Sequence, residues 1–155
     1  MRPVIKKIMI AVDFSECTEQ SLHYGISLAK GMNASLLLVN VVNSRDLNVV
    51  ERYIGLQEPE LYQKFVEDAH SSRKKELDDL LKIAEEKGVL GDSLVLEGVP
   101  YMEILNAIDT EKPDMLIVGT KGRSNIADTI IGSCAQKLYR RCPIPLLSLR
   151  PVNHP

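Results

Sequence analysis

Short, largely apolar runs alternate along this chain with segments of helical periodicity. The runs lie at 8–12, 36–41, 94–96, 115–118 and 144–149, and the segments between them predict helices at 17–32, 61–87, 101–109 and 133–140. A strand in which nearly every residue is apolar must be covered on both faces. Alternation of five such strands with four helices predicts an α/β fold: an open, mainly parallel five-stranded sheet with helices on both faces and right-handed crossovers.

Glycine, asparagine and proline mark the predicted helix ends. Gly31 with Asn33 is a stop signal for the first helix, and Gly88 is expected in the left-handed position that ends the second. Gly88 and Gly91 have the Gly-x-x-Gly spacing that also occurs in phosphate-binding loops, but the end of the helix at Gly88 is enough to explain it. Pro100 suits the first turn of the third helix.

The length of 155 residues favours a single domain spanning 1–155. Residues 43–58 have no convincing period, and we predict a variable loop there. A lid over a ligand site would account for this segment. A surface excursion, or a short helix packed against a partner subunit, would account for it equally well.

Charge and cysteine content limit the partners and the compartment. Lys plus Arg total 19 and Asp plus Glu 21, so the formal net charge is −2, which gives no electrostatic reason to expect nucleic acid or an anionic membrane. The cysteines, Cys17, Cys134 and Cys142, form no ligand pattern and suit small core residues in a reducing compartment. The chain enters a strand after Lys7 without a signal-type apolar segment, so we expect a cytoplasmic protein.

The segment after the fourth run carries a glycine pattern suited to a phosphate. Gly119 and Gly122 are followed by Gly132 and Ser133, where a helix is predicted to begin. Glycines let backbone N–H groups approach a phosphate, and the start of a helix attracts anions. Ser133 is also suited to cap that helix. An ordinary strand-to-helix loop with glycine turns explains the same spacing.

Three residues that follow predicted strands fall on one edge of the sheet. Asp13 follows the first strand, Val41 closes the second and Gly119 follows the fourth. In open α/β sheets, ligands bind outside the carboxyl ends of the strands, near the point where the strand order reverses. This convergence favours the phosphate interpretation over the ordinary loop.

The motifs that follow four of the strands resemble those of the universal stress protein family. They occupy 12–15, 39–42, 97–100 and 118–122, together with 132–133. Gly119, Gly122, Gly132 and Ser133 fulfil the family's ATP-binding signature, G-x2-G-x9-G-[ST]. The resemblance covers 8–149 and implies strand order 3-2-1-4-5, an adenine-nucleotide alpha-hydrolase-like arrangement, ATP at the carboxyl rim, and a homodimer paired through the last strand.

The resemblance also implies which residues contact the nucleotide. Asp13 and Val41 would lie beside the adenine, Val41 through its backbone, and Val118 and Gly119 would approach the ribose. The residues implied near the phosphates are Lys121, Gly122, Gly132, Ser133 and Cys134. Cys134 stands where the family more often has valine.

Two of these positions have structural alternatives. Asp13 with Glu16 three residues later also fits a capping box for the first helix. Lys121 and Arg123 could neutralise phosphate charge, or they could form a solvated basic loop.

The last strand suggests how subunits would pair. Pro143 and Pro145 favour an edge position for 144–149, because proline cannot donate to a central ladder. An unprotected apolar edge invites pairing with another chain. This agrees with the homodimer that the resemblance implies.

No common catalytic framework occurs in the sequence. It lacks GxxxxGK[ST], GxGxxG, GxSxG and HExxH motifs, and neither Asn125 nor Asp128 has a spacing that identifies a base or a metal ligand. Together with the resemblance, this absence favours an ATP-binding regulatory or sensor module of the stress response, with Mg²⁺ held mainly by phosphates and water. The alternatives are a slow ATPase or phosphotransferase at the same site, and a nucleotide-free dimerisation module.

Overall fold

The computed structural model describes residues 4–121 and 131–152. Its strands are β1 (Lys7–Ala11), β2 (Ser35–Asn43), β3 (Gly91–Gly98), β4 (Met115–Gly119) and β5 (Leu146–Leu149). They form one sheet in the order β3-β2-β1-β4-β5, in which every neighbouring pair is parallel. The predicted α/β fold and the strand order that the resemblance implied are both confirmed.

Within the described ranges, five α-helices and one π-helical turn accompany the sheet. They are α1 (Cys17–Met32), α2 (Ser44–Val50), the π-helical turn (Glu51–Gly55), α3 (Pro59–Glu86), α4 (Pro100–Glu111) and α5 (Ser133–Arg141). The four predicted helices correspond to α1, α3, α4 and α5. Their bounds differ from the predicted ones by two residues or fewer, which is the usual uncertainty at a helix end.

Alternate side chains of the strands pack into two apolar layers, one on each face of the sheet. Ile8 and Ile10 of β1 are 0% exposed and pack with α1 and α3, whereas Met9 between them is 0% exposed and packs with α4 and α5. The twofold side-chain alternation of a strand places them on opposite faces. Both faces of the sheet are therefore covered, which explains why the strand sequences are apolar throughout.

The helix ends agree with most of the predicted signals. Gly88 has φ +82°, the left-handed position expected of it, and α4 begins at Pro100. Asn33, at φ 53°, follows α1 and its N–H contacts the carbonyls of Ala29 and Lys30. Gly31 lies inside the helix, so Asn33 alone ends α1.

The segment 43–58 is mainly helical, so the prediction that it forms a loop is wrong. Asn43 caps α2 by accepting a hydrogen bond from the Arg45 N–H at 3.0 Å. Leu47 is 3% exposed, and α2 contacts β2 and β3 of its own chain. The alternative of a short helix is correct, but its buried side packs within this subunit.

Two further observations concern membrane-spanning helices and the state of the cysteines. Among the helices of 4–121 and 131–152, none combines the length and apolarity needed to cross a bilayer. The three cysteines are free thiols: Cys17 is buried, and Cys134 and Cys142 are partly buried.

Candidate functional site

The strand order reverses between β1 and β4. From β1 the chain continues to β2 and β3 on one side, and from β4 it continues to β5 on the other. The register between these two strands ends at Ile10 and Ile117. Asp13 and Gly119 follow shortly beyond that pair, at the switch point where doubly wound sheets bind ligands in a crevice.

The loop from β1 to α1 is a compact turn at this crevice. Phe14 has φ 58°, and the Asp13 Oδ1 accepts a hydrogen bond from the Ser15 N–H at 3.0 Å. The Ser15 Oγ in turn accepts one from the Cys17 N–H at 3.3 Å. Glu16 is the N-cap residue of α1, and its own side chain makes no capping hydrogen bond. The capping-box alternative for Asp13 and Glu16 is therefore wrong, because the Asp13 carboxylate forms the turn before the helix.

The end of β2 reaches the same crevice from the other side of β1. The Val39 carbonyl accepts a hydrogen bond from the Val12 N–H at 2.8 Å, and the β1–β2 register ends with Ala11 opposite Val39. Backbone groups of alternate residues in a strand point to the same neighbour, so the N–H and C=O of Val41 face the β1 side beyond the last register pair. Val41 is partly buried there.

Asn40 is a residue of this site that the sequence analysis missed. Its side chain is 3% exposed, and its Nδ2 donates a hydrogen bond to the Val12 carbonyl at 2.7 Å. The sequence did contain a signal for this residue, because Asn40 is the one strongly polar side chain between Leu36 and Val42. A buried amide in an apolar strand usually has a specific hydrogen-bond partner.

The end of β4 packs tightly against the start of α1. A Cβ at Gly119 would lie 2.7 Å from the Cβ of Cys17, so this glycine has a packing reason apart from any ligand. Val118 is 3% exposed and packs with α4 and α5. The Ser15 Oγ lies 3.5 Å from the Lys121 carbonyl. Burial raises the pKa of the Cys17 thiol above its ordinary value of 9.0, although the Lys121 backbone lowers it.

Helix α5 starts at the rim beside Thr120. Gly132 is its N-cap residue, with φ −65° and ψ 155°, and the Gly132 N–H donates to the Thr120 carbonyl at 2.6 Å. Ser133 is the first helical residue, so the prediction that its side chain caps α5 is wrong. The N–H groups of the first turn, beginning with that of Ser133, have no partner within the helix and form its positive end.

Cys134 connects α5 electrostatically to the β1 loop. Burial raises the pKa of its thiol to about 11, the Asp13 carboxylate acts in the same direction, and Lys137 opposes it. Asp13 is therefore near enough to the start of α5 to act on its first turn. The structure brings Asp13, Gly119, Lys121 and the start of α5 around one crevice. Gly122 and Arg123, like Asn125 and Asp128, lie outside the described residues.

Comparison with known proteins identifies the family. The model of the Universal stress protein family matches residues 5–150. This chain belongs to the universal stress protein family. A universal stress protein of Thermus aquaticus is 30% identical over 152 residues, covering 95% of this chain and 100% of the relative.

Solved structures of universal stress proteins share the fold. The structure of a universal stress protein of Methanocaldococcus jannaschii superposes with a TM-score of 0.81 at 26% identity, covering 98% of this chain and 100% of that one. Two others are complexes, a universal stress protein with cAMP (TM-score 0.62, 18% identity) and one from Archaeoglobus fulgidus with dAMP (0.60, 16%). At such identities the likeness shows the fold.

Polar atoms without partners concentrate at the carboxyl rim of this universal stress protein. In the part of the chain that the structure describes, three buried side-chain oxygens lack a hydrogen-bond partner: Thr18 Oγ1, Asn40 Oδ1 and Thr120 Oγ1. Thr18 lies in the first turn of α1, Asn40 near the end of β2, and Thr120 directly after β4. Such atoms are few in native proteins and call for an explanation, for which a bound water or ligand is the usual one.

Proposed function

We propose that this universal stress protein binds ATP at the carboxyl rim of its sheet and acts in the cytoplasm as a nucleotide-dependent regulatory or sensor module. The observation that carries the proposal is the arrangement at the strand-order reversal. Asp13 and the Val41 backbone lie on the β1–β2 side, and the positive end of α5 lies on the β4 side. This separation suits a ligand with a polar base at one end and phosphates at the other.

The β1–β2 side offers backbone groups for the base. The N–H and C=O of Val41 face the crevice beyond the last register pair of β1 and β2. Adenine presents an amino donor at N6 next to a ring acceptor at N1, so one backbone acceptor and one backbone donor match it. Backbone groups held in a strand lose little entropy on binding.

The β4 side offers positive potential for the phosphates. The N–H groups at the start of α5 that have no partner within the helix include that of Ser133, whose exposed side chain adds a hydroxyl. Lys121 follows β4 at the same edge, and its ammonium group would pair with a phosphate. No group of three His, Cys, Asp or Glu side chains within 4–121 and 131–152 could hold a metal, so Mg²⁺ would be held by phosphate oxygens and water.

Complexes of related proteins and the signature of this chain both support an adenine nucleotide as the ligand. The cAMP and dAMP complexes show that this fold accommodates adenine nucleotides in other universal stress proteins. The complete G-x2-G-x9-G-[ST] signature of this chain favours a ligand with a polyphosphate. The sensor role is proposed because the sequence contains no recognised catalytic motif.

The proposal is tested first by identifying the nucleotide that the purified protein carries. The protein is denatured by heat, the precipitate is removed, and the supernatant is analysed by chromatography with mass detection. We expect ATP at about one equivalent per chain. Stoichiometric ADP or AMP would shift the proposal to the slow ATPase, and a protein that neither carries nor binds added ATP would favour the nucleotide-free dimerisation module.

The site is tested by Gly132→Val. Gly132 has φ −65° and ψ 155°, a backbone that valine adopts without strain, so the variant is expected to fold. Its side chain would occupy the space next to the first N–H groups of α5, and ATP binding should fall at least about 100-fold, as two lost charge-assisted hydrogen bonds imply. Gly31→Ala is the control, since nothing lies within 4 Å of its added Cβ. Wild-type affinity in folded Gly132→Val would refute this placement.

The sensor role is tested by hydrogen exchange. If nucleotide binding orders the segment between β4 and α5, ATP should slow amide exchange across 119–133. Unchanged exchange in this segment at saturating ATP would exclude the ordering switch while leaving ATP binding intact.

We also propose that the protein is a homodimer paired through β5. The Leu116 N–H donates to the Pro145 carbonyl, and the Thr120 N–H donates to the Leu149 carbonyl. By the alternation of a parallel strand, the backbone groups of Leu146 and Ser148 therefore point away from β4. They form the outer edge of the sheet, where a second strand would add.

A further inference from the structure

Asn40 ends the hydrogen-bond ladder between β1 and β2. If that parallel ladder continued by one more step, the Val12 carbonyl would accept a hydrogen bond from the Val41 N–H. The register instead stops at Ala11 opposite Val39. The Val12 carbonyl accepts its hydrogen bond from the Asn40 Nδ2, at 2.7 Å. A side-chain amide has taken the place of a backbone donor.

This replacement leaves the Val41 N–H outside the ladder, facing the crevice. It also fixes the peptide between Val12 and Asp13, because the Val12 carbonyl is held from β2 by the Asn40 amide. Asn40 thus sits immediately before Val41 in sequence and bonds to the residue immediately before Asp13. One buried side chain connects the two positions expected beside the base.

Burying the Asn40 amide costs free energy, which indicates that the hydrogen bond donated by its Nδ2 has a specific role. The Asn40 side chain is 3% exposed and its Oδ1 has no hydrogen-bond partner. A buried acceptor without a protein partner needs a bound water or ligand to offset its desolvation, and an apolar side chain of similar volume would not. Stability alone therefore does not account for an asparagine among the apolar residues of β2.

We propose that Asn40 is a positioning residue that sets the base selectivity of the nucleotide site by withholding the Val41 N–H from β1. This inference rests on the proposed ATP binding. Without the Asn40 amide, the Val12 carbonyl could accept a hydrogen bond from the Val41 N–H. That bond would extend the β1–β2 ladder by one step, and the Val41 N–H would no longer face the base. The phosphate half of the site, at the start of α5, does not depend on Asn40.

The test compares Asn40→Leu with a control at the opposite end of the same strand. The Asp114 Oδ2 accepts hydrogen bonds from the Lys6 and Lys7 N–H groups at 2.7 and 2.9 Å, which ties the start of β1 to the segment before β4. Asp114→Ala therefore removes a comparable side-chain tie away from the carboxyl rim. Calorimetric titrations use ATP, GTP and inorganic tripolyphosphate, the last of which reports on the phosphate half alone.

For Asn40→Leu we expect ATP to bind about tenfold more weakly and the preference for ATP over GTP to fall by a similar factor. Tripolyphosphate affinity should stay within about twofold of wild type. Asp114→Ala should match wild type for all three ligands, even if its stability is lower. Wild-type ATP affinity and base preference in Asn40→Leu would overturn the inference, and so would an equal loss for ATP and tripolyphosphate.

Amide exchange of the wild-type protein provides a test that needs no variant. In the unliganded protein, the Val41 N–H should exchange faster than that of Val39, which belongs to the ladder with β1. Equal protection of the two would overturn the inference even if Asn40→Leu did not fold. Failure of the wild-type protein to bind ATP would instead refute the proposed function, and this inference with it, before any variant is compared.

Discussion

Gly119 has no room for a side chain, because a Cβ built there would lie 2.7 Å from the Cβ of Cys17 and 3.3 Å from its Sγ. Sequence reasoning assigned this glycine to the approach of a ligand. The structure adds a steric reason that holds whether or not a ligand is bound. At the scale of single residues, a motif glycine can thus serve packing between a strand end and a helix start.

Gly119→Ala should destabilise the fold by about 1–3 kcal/mol, since the added methyl group overlaps the start of α1. Urea unfolding followed by circular dichroism measures the change. Cys17→Gly should remove most of that penalty in the double variant, because the opposing Cβ is absent. Gly31→Ala, where the added Cβ meets nothing within 4 Å, should be neutral or stabilising by up to about 1 kcal/mol. If the effects of Gly119→Ala and Cys17→Gly on the free energy of unfolding were additive in the double variant, the proposed contact would be contradicted.

Cys134 should react slowly with alkylating reagents. Its pKa of about 11 leaves roughly one thiol in a thousand ionised at pH 8, and the thiolate is the reactive form. Alkylation of Cys134, followed by peptide mass spectrometry, should accelerate about tenfold per pH unit between pH 8 and 10. The folded pKa is raised, so the thiol's contribution to stability is present below pH 9 and is lost as the pH rises towards 11. A rate at pH 8 equal to that of the unfolded chain would contradict this environment.

At the scale of secondary-structure elements, the helical segment after β2 is the part that the sequence analysis did not predict. Periodicity could not reveal it, because α2 has only seven residues and passes directly into a five-residue π-helical turn. One buried residue, Leu47, anchors it, while Val49 is 49% exposed. A short helix that buries a single large side chain gives little pattern to recognise in a sequence.

Leu47→Ala should cost about 2–4 kcal/mol of folding stability, because a buried leucine leaves a cavity against β2 and β3. Val49→Ala, two residues later on the exposed side, should change stability by no more than about 0.5 kcal/mol. Thermal and urea unfolding of the two variants measure the difference. Similar small effects at both positions would mean that this helix does not pack on the body of the protein.

At the scale of the whole molecule, β3 and β5 are the two edge strands of the sheet, and the outer edge of β5 is the one proposed to pair with a second subunit. The outward N–H groups are those of Leu146 and Ser148, on the side away from β4. The prediction of an edge strand from Pro143 and Pro145 is confirmed by the position of β5 at the end of the sheet. Dimerisation through it stays a prediction.

Ser148→Pro should convert the proposed dimer to a monomer. Proline removes the outward N–H at 148 while the ladder with β4 keeps the donors of the alternate residues. Light scattering at micromolar concentration should give twice the monomer mass for the wild-type protein and for Ser148→Ala, and the monomer mass for folded Ser148→Pro. A wild-type monomer, or a dimer that survives Ser148→Pro, would exclude pairing through this edge.

Much of the fold could be predicted from local pattern. The order and type of four helices and five strands follow from apolar runs and helical spacing, and Gly88 and Pro100 act at helix ends as their backbone chemistry dictates. The capping role predicted for Ser133 and the capping-box alternative for Asp13 were both wrong, because the N-cap residues of α5 and α1 are Gly132 and Glu16. A cap depends on where the first helical hydrogen bond forms, and the adjoining turn decides that.

The sequence by itself determined the strand and helix succession, the apolar layers and the family signature, because each of these is encoded by neighbours along the chain. Only the tertiary structure decided which groups pair at the rim. The Val12 carbonyl could accept a hydrogen bond from the Val41 N–H or from the Asn40 amide, and residues distant in sequence fix that choice. Gly119 likewise meets Cys17 only when β4 lies beside β1. When two donors compete for one acceptor, three-dimensional packing decides which of them bonds, and the periodicity of the sequence contains no information about that packing.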